Sequence, residues 1–244
     1  MDDNRFEVLD SIKLRPWFSL CLVVNDDATT IADTLDSLLN QDYRYYEVII
    51  IDNDSTDGSG EICQQKIAGK KNVTYRRLHS KVKNAEAWNI ANSIWAEGKY
   101  VLFLKGDDRF LDDTLTSLYT TNYAAMTDII HLADWLEQNE NGDVIFAEKK
   151  FSPKCDRKFQ AAKPDSRVGS RNGQDAARMI LNREINSFLP TKCFYRDFLL
   201  EHRIKFDKNI EDDKAELLFQ VEAFLYAKKL IYLLHPVYIV PKNN

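Results

Sequence analysis

Acidic residues gather where three short apolar runs end. Asp26 and Asp27 follow SLCLVV at residues 19–24, Asp52 and Asp54 follow EVIII at 47–51, and Asp107 and Asp108 follow YVLFL at 100–104. If these runs are parallel strands, all three acidic groups lie on one rim, beyond the carboxyl ends where open α/β sheets bind ligands. Any one of them also fits a solvated loop or a helix cap. Carboxylates crowded on one rim repel unless a cation or a hydroxyl-rich ligand compensates, and hard divalent ions take oxygen ligands, with phosphate completing the shell. The chemistry to expect is a diphosphate ligand held with Mg²⁺ or Mn²⁺.

The elements between these runs support that placement. After the first run, Ile31, Leu35, Leu38 and Leu39 recur at helical spacing; the loop DNDSTDGS follows the second, and residues 61–68 then read as a helix. A strand at 73–76 and a helix at 84–96 complete a βαβ alternation, which implies a parallel sheet with right-handed crossovers. The second half is less regular. Residues 127–132 and 144–146 flank Asn141-Gly142, a hairpin signal, and 147–172 is polar and basic, the best candidate for a mobile loop. Helices are expected at 173–181 and at 213–227, the latter with Leu217, Val221, Phe224 and Leu225 on one side, and one last strand at 230–240. The division expected is an N-terminal extension at 1–18, a nucleotide-type half at 19–120 and a mixed half at 121–244.

With 244 residues, 44% of them apolar, the chain is long enough for a continuous core. A net charge of −5 argues against nucleic acid, which calls for a concentrated basic face. No window approaches the roughly 20 apolar residues of a membrane span and the first 18 residues do not resemble a secretory signal, so a cytoplasmic location is expected. Lys149, Lys150, Lys154, Arg157, Lys158 and Lys163 offer a peripheral contact with the inner membrane face, or simply a solvated loop. Cys21, Cys63, Cys155 and Cys193 form no CxxC pair and read as buried thiols.

The stretch SLCLVVNDDATTIADTLDSLLNQDYRYYEVIIIDNDSTDGSGEIC resembles the opening of family 2 glycosyltransferases of GT-A fold, whose usual pattern runs SVIIPVYN…LDSLLNQTY…EIIVVDDGSTDGS. AEGKYVLFLKGDDRF resembles the family's AKGEYILFLDSDD, and the segment from PTKCFYRDF to HPVYIV resembles its later helix-and-strand region. The resemblance covers residues 19–120 and 186–240. It implies an α/β architecture with a Rossmann-like, mostly parallel sheet, and an inverting transfer of sugar from a nucleotide diphosphate, a UDP-sugar by expectation, to a glycan or lipid-linked acceptor in surface polysaccharide assembly.

Carried over by position, Asn25 and Asp26 lie against the nucleotide, Asp52 accepts from the base with Asp54 in the same loop, Asp107 holds the bridging metal and Asp108 is its neighbour. Lys105 replaces the first acid of the metal motif, leaving two readings: a phosphate contact, or a weak metal site. Asn53 replaces the second acid of the earlier motif, and Trp88 stands where many members have arginine. Glu216 falls on the catalytic base, Ala215 on the acid before it, and Asp212 and Asp213 compete for the role. Asp134 and Trp135 are expected on the acceptor side, and His131 in the core. The rival readings are a GT-A domain that has lost transfer and binds a glycan or partner, and a nucleotidyltransferase, which lacks a glycine-rich phosphate loop here. A homo-oligomer or a larger parent chain stays open.

Overall fold

The computed structural model describes residues 15–122, 126–133, 135–138, 144–146, 167–168, 173–233 and 237–240. Four parallel strands form the first half: β1 (Phe18–Val24), β2 (Tyr46–Asp52), β3 (Val73–Arg77) and β4 (Tyr100–Lys105). Between them run α1 (Ile31–Leu39), α2 (Ser59–Ile67) and α3 (Asn84–Ile90), the last extended by a π-turn at Ala91–Trp95. The helix expected at 84–96 therefore widens at its end, where the Ala96 N–H reaches back to the Ala91 carbonyl. Gly58, at φ 96°, opens α2 from a left-handed conformation that side chains disfavour.

The chain continues through β5 (Arg109–Phe110), α4 (Thr114–Asn122), β6 (Ile129–Leu132), β7 (Leu136–Gln138), β8 (Val144–Phe146) and β9 (Arg167–Val168). Then come α5 (Gly173–Leu181), a 3-10 turn at Leu189–Thr191, β10 (Lys192–Tyr195), α6 (Arg196–Glu201), α7 (Asp212–Tyr226), β11 (Leu230–Leu233) and β12 (Tyr238–Val240). An eight-stranded sheet has the order β3-β2-β1-β4-β10-β6-β11-β9, and a four-stranded sheet the order β5-β12-β7-β8. β10 runs antiparallel between β4 and β6, so both halves of the chain share one sheet.

Helices cover both faces, which is why the central strands read as unbroken apolar runs. Cys21 and Val23 point to one core layer with Ile49, Ile51 and Phe103, whereas Leu20, Leu22 and Val24 point to the other with Val48, Ile50 and Leu104. Phe206 lies flat on Phe219 at 3.9 Å between ring centroids, and Phe103 meets both edge-on.

Three expectations for the second half are corrected. The strand paired with β8 is β7, not residues 127–132, of which Ile129–Leu132 belong to the large sheet; Asn141-Gly142 lies outside the described residues. The terminal strand is two strands, β11 and β12, in different sheets. On α7 the buried side is Ala215, Phe219, Gln220, Ala223 and Phe224, while Leu225 is exposed. Within the stretch read as a loop, Arg167–Val168 pairs with β11, and the rest lies outside the described residues, as does Cys155. Cys21, Cys63 and Cys193 are buried free thiols. Among the described residues no helix is long and apolar enough to cross a membrane.

Where α5 meets α7, a Cβ on Gly173 would collide with the backbone carbonyls of Phe224 and Ala227. Gly173→Ala should therefore destabilise the fold by about 1–3 kcal/mol through overpacking, read as a lower urea midpoint at unchanged slope.

Candidate functional site

The registers Val24↔Asp52 and Val23↔Lys105 set the ends of β2, β1 and β4 side by side, so the three acidic groups do share a rim. Backbone N–H groups stitch the first two loops together: Asp26 donates to Ser55 Oγ at 3.2 Å, Thr56 to Asp26 Oδ1 at 2.8 Å, Asp27 to Ser59 Oγ at 2.8 Å and Ala28 to Asp57 Oδ2 at 2.8 Å. Asp26 and Asp54 both adopt left-handed backbone, at φ 59° and 57°, which aspartate tolerates better than most residues.

Several acids thus hold the loops in shape. Asp52 is fully buried; its Oδ1 accepts from Ser55 N–H at 2.9 Å and its Oδ2 from the Tyr75 hydroxyl at 2.6 Å, with Arg77 3.8 Å away. Arg77 also reaches Asp54 at 3.4 Å. The exposed Asp26 pairs with Lys81 at 2.8 Å, and that hydrogen bond holds its carboxyl below the usual value. Asn53, at the position of an acid in the resemblance, donates through Nδ2 to the Val82 carbonyl at 2.7 Å while its Oδ1 accepts from Val82 N–H at 2.9 Å. A carboxylate has no donor for the first bond. Among the described residues the buried side-chain oxygen of Asn25 has no hydrogen-bond partner.

The turn after β4 is held from both sides. Thr30 and Thr34 hydroxyls donate to the Gly106 carbonyl at 2.9 and 2.8 Å, and a Cβ on Gly106 would strike the Asp27 carboxylate. Burial raises the Asp27 carboxyl, opposed by a hydrogen bond from Asn25 N–H and assisted by the charge of Asp107. Asp108 is buried, accepting from Lys105 N–H at 2.6 Å and from the Tyr238 hydroxyl at 2.5 Å; burial pushes its pKa up to about 7 in spite of these donors. Both of its oxygens are occupied, and of the two acids of this motif at the cavity Asp107 is the more exposed.

That cavity, about 520 Å³, lies between β4, α7 and the loop Ser187–Pro190. The Lys105 ammonium contacts Glu216 Oε1 at 2.7 Å. Burial raises the Glu216 carboxyl, with Lys105 pulling it down. Trp88 is buried beneath this pair, its indole N–H donating to the Leu104 carbonyl at 3.1 Å and its ring 5.8 Å from Lys105 Nζ. The successive α7 residues diverge: Ala215 points into the core and Glu216 into the cavity. Asp212 accepts from Asn84 and Ala85 N–H at 3.2 and 3.1 Å and so closes the start of α3, whereas Asp213 is exposed at the cavity wall.

The opposite wall was not legible in the sequence. The fully buried Lys192 ammonium reaches the carbonyls of Asn186 and Phe188 at 2.7 and 2.9 Å, Asn186 Oδ1 at 2.8 Å and Thr191 Oγ1 at 2.9 Å. Gln220 Nε2 adds a bond to the Ser187 carbonyl at 3.0 Å. Together they fix the loop that presents Phe188, 39% exposed. A lysine inside the apolar run LPTKCFY was the available signal. Trp135 is buried and packs edge-on against Phe188 at 5.6 Å, behind the wall and not in its surface; Asp134 lies outside the described residues. His131 is buried between Phe224 and Tyr232, and burial holds its pKa well down.

Among the described residues no three His, Cys, Asp or Glu side chains are grouped to hold a metal ion. Asp107 alone fits a Mg²⁺ or Mn²⁺ whose remaining ligands come from substrate phosphates and water, the usual arrangement for hard ions on phosphate substrates.

The Asn53–Val82 bridge yields a direct test. Asn53→Asp places a carboxylate against a carbonyl and should cost about 1–3 kcal/mol of stability, seen as a lower thermal midpoint. Asn53→Ser, smaller and neutral, should cost less than the charged replacement.

The family model for Glycosyl transferase family 2 matches residues 19–203. A Bacillus subtilis protein described as a putative teichuronic acid biosynthesis glycosyltransferase, TuaG, is 38% identical over 87 residues, 35% of this chain and 33% of its own. The poly(ribitol-phosphate) beta-glucosyltransferase of Bacillus spizizenii is 28% identical over 216 residues, 87% of this chain and 30% of its own. The chain thus spans a third or less of the length of these relatives. Among solved structures, S. aureus TarS 1-349 in complex with UDP-GlcNAc superposes with a TM-score of 0.72 at 22% identity, covering 93% of this chain and 59% of that one. A Pyrobaculum calidifontis mannosyltransferase with GDP-Man and Mn²⁺ gives 0.58 at 16% identity, covering 95% and 59%. The mixed α/β architecture is that of GT-A glycosyltransferases, and the chain belongs to glycosyl transferase family 2.

Proposed function

We propose that this chain transfers a sugar from a nucleotide diphosphate, a UDP-sugar, to a hydroxyl of a cell-surface polysaccharide or its lipid-linked precursor, with inversion. The observation that carries this is the placement of Glu216, a largely buried carboxylate on α7, in one cavity with Asp107 at the end of β4. The teichuronic acid and poly(ribitol-phosphate) names of the relatives support the acceptor class, and the UDP-GlcNAc complex of TarS supports the donor class.

In this reading Asn25, Asp26 and Asp54 lie on the nucleotide side, on loops that Asp52 holds in shape. Asp107 would hold a Mg²⁺ or Mn²⁺, which when bound supplies positive charge to the leaving diphosphate. Glu216 removes the proton from the acceptor hydroxyl as that oxygen bonds to the anomeric carbon and the bond from that carbon to the diphosphate oxygen breaks. A carboxyl raised by burial suits a group that must take up a proton. Phe188 offers the exposed aromatic face against which an acceptor sugar packs, with Trp135 supporting it from behind. Asp213 stands at the mouth and Asp212 acts through α3. The basic stretch around Lys149–Lys163 and any association with a membrane or a second copy belong to the same proposal and lie outside the described residues.

A second reading keeps the donor and drops the transfer: the Lys105–Glu216 ion pair occupies the base, as it would in a domain that only binds. Thermal shifts with UDP-, GDP-, CDP- and dTDP-sugars, each with and without Mn²⁺, separate a donor-binding chain from one that binds none. A UDP-sugar at 100 times its Kd should add about 2.7 kcal/mol of stability, and Asp107→Ala should remove the Mn²⁺-dependent part. With an acceptor polymer present, Glu216→Gln should lower transfer by about 10²–10⁴-fold while donor binding persists. Donor binding without any transfer by the wild-type chain would favour the second reading.

A further inference from the structure

Lys105 stands where the family resemblance places an acid, and its surroundings explain what a cation does there. The cavity is lined by five acids, Asp107, Asp108, Asp212, Asp213 and Glu216, and Lys105 is the one basic side chain among its described lining residues. A diphosphate entering this space meets net negative charge, and Lys105 is the group able to answer it directly. In the free chain that ammonium is already taken by Glu216 at 2.7 Å.

We propose that Lys105 is exchanged between these two partners: its ammonium leaves Glu216 for a phosphate oxygen when a nucleoside diphosphate binds, and the base is thereby freed only once the donor is in place. The inference rests on the proposed function and adds to it the order of events at the same site. No bond is made or broken in the exchange; an ammonium changes its anionic neighbour.

Three features favour an exchange over a fixed pair. The Lys105 backbone is anchored, with its N–H on Asp108 Oδ2 at 2.6 Å and its carbonyl accepting from Asp108 N–H at 3.1 Å, so the motion is confined to a flexible four-carbon stem. The pair is asymmetric: the lysine side chain is 41% exposed and the glutamate 13%, so the mobile end is the solvated one. Partly exposed ion pairs are weakly held, while a diphosphate presents more negative charge at the same distance. Trp88 adds a cation-facing ring 5.8 Å from the ammonium, part of the floor over which the stem swings.

The consequence is a base that stays paired while the donor site is empty. Glu216 then competes with the donor for Lys105, and that competition is measurable without turnover. Titration calorimetry with UDP, UMP and uridine, at one fixed Mg²⁺ concentration, is carried out on the wild-type chain, Glu216→Gln, Lys105→Met and the double variant. Lys105→Met should weaken UDP by about tenfold or more, the loss of a charge-assisted bond, and leave uridine unchanged. Glu216→Gln, by releasing Lys105, should tighten UDP by about three- to tenfold, and this gain should vanish in the Lys105→Met background. Lys105→Gln repeats the measurement should the methionine variant fold poorly.

Unchanged UDP affinity in both Lys105 variants would overturn the exchange. So would a Glu216→Gln gain that persists without Lys105, since that is simple repulsion between carboxylate and phosphate. Failure of the folded wild-type chain to bind UDP would overturn the UDP-donor reading on which the inference rests, whereas UDP binding that is indifferent to Lys105 overturns the exchange alone.

Discussion

The 2.7 Å contact between Lys105 and Glu216 ties the end of β4 to the second turn of α7, and the charge state of the cavity depends on it. It joins the two halves of the chain across the point where β10 docks antiparallel on β4. On one side of it lie the acids that end β1, β2 and β4; on the other lies the wall fixed by Lys192 and Gln220. A cavity with five carboxylates in its lining can exist because this one ammonium offsets them and because Asp108 is held by Tyr238 and its own turn.

The crowding of acids on this rim is accommodated mainly by work inside the fold. Asp52 closes its own loop, Asp26 pairs with Lys81, Asp57 holds α2 and Ala28, and Asp212 caps α3. What remains directed at the cavity is a short set: Asp107, Asp213 and Glu216, with Lys105. A carboxylate that accepts backbone N–H bonds is as well satisfied by a loop as by a ligand, which is why the same residue type serves both purposes here.

The first half was legible because each strand is an uninterrupted apolar run ended by loop residues, and each crossover helix shows its own period. Strand ends predicted the rim, and the family resemblance put Lys105 and Asp107 on the metal motif and Glu216 on the base; the ion pair between Lys105 and Glu216 was not legible there. The second half was not, because strands of three or four residues carry little pattern and find partners far along the chain, as when β12 pairs with β5 and β7. Pro236 inside the final apolar run, unable to donate to a ladder, was the sign that 230–240 is not one strand. The left-handed Asp26 and Asp54, the Asn53–Val82 bridge and the Lys192 anchor are tertiary facts that no local pattern encodes.

The most direct measurement is a crystal structure of the wild-type chain with UDP and Mg²⁺ bound. The expected complex has a diphosphate beside Asp107, the Lys105 ammonium on one of its oxygens, and a Glu216 carboxylate facing open cavity. UDP bound at this rim with the Lys105–Glu216 contact still closed would contradict the exchange, and UDP bound elsewhere would contradict the placement of the site itself.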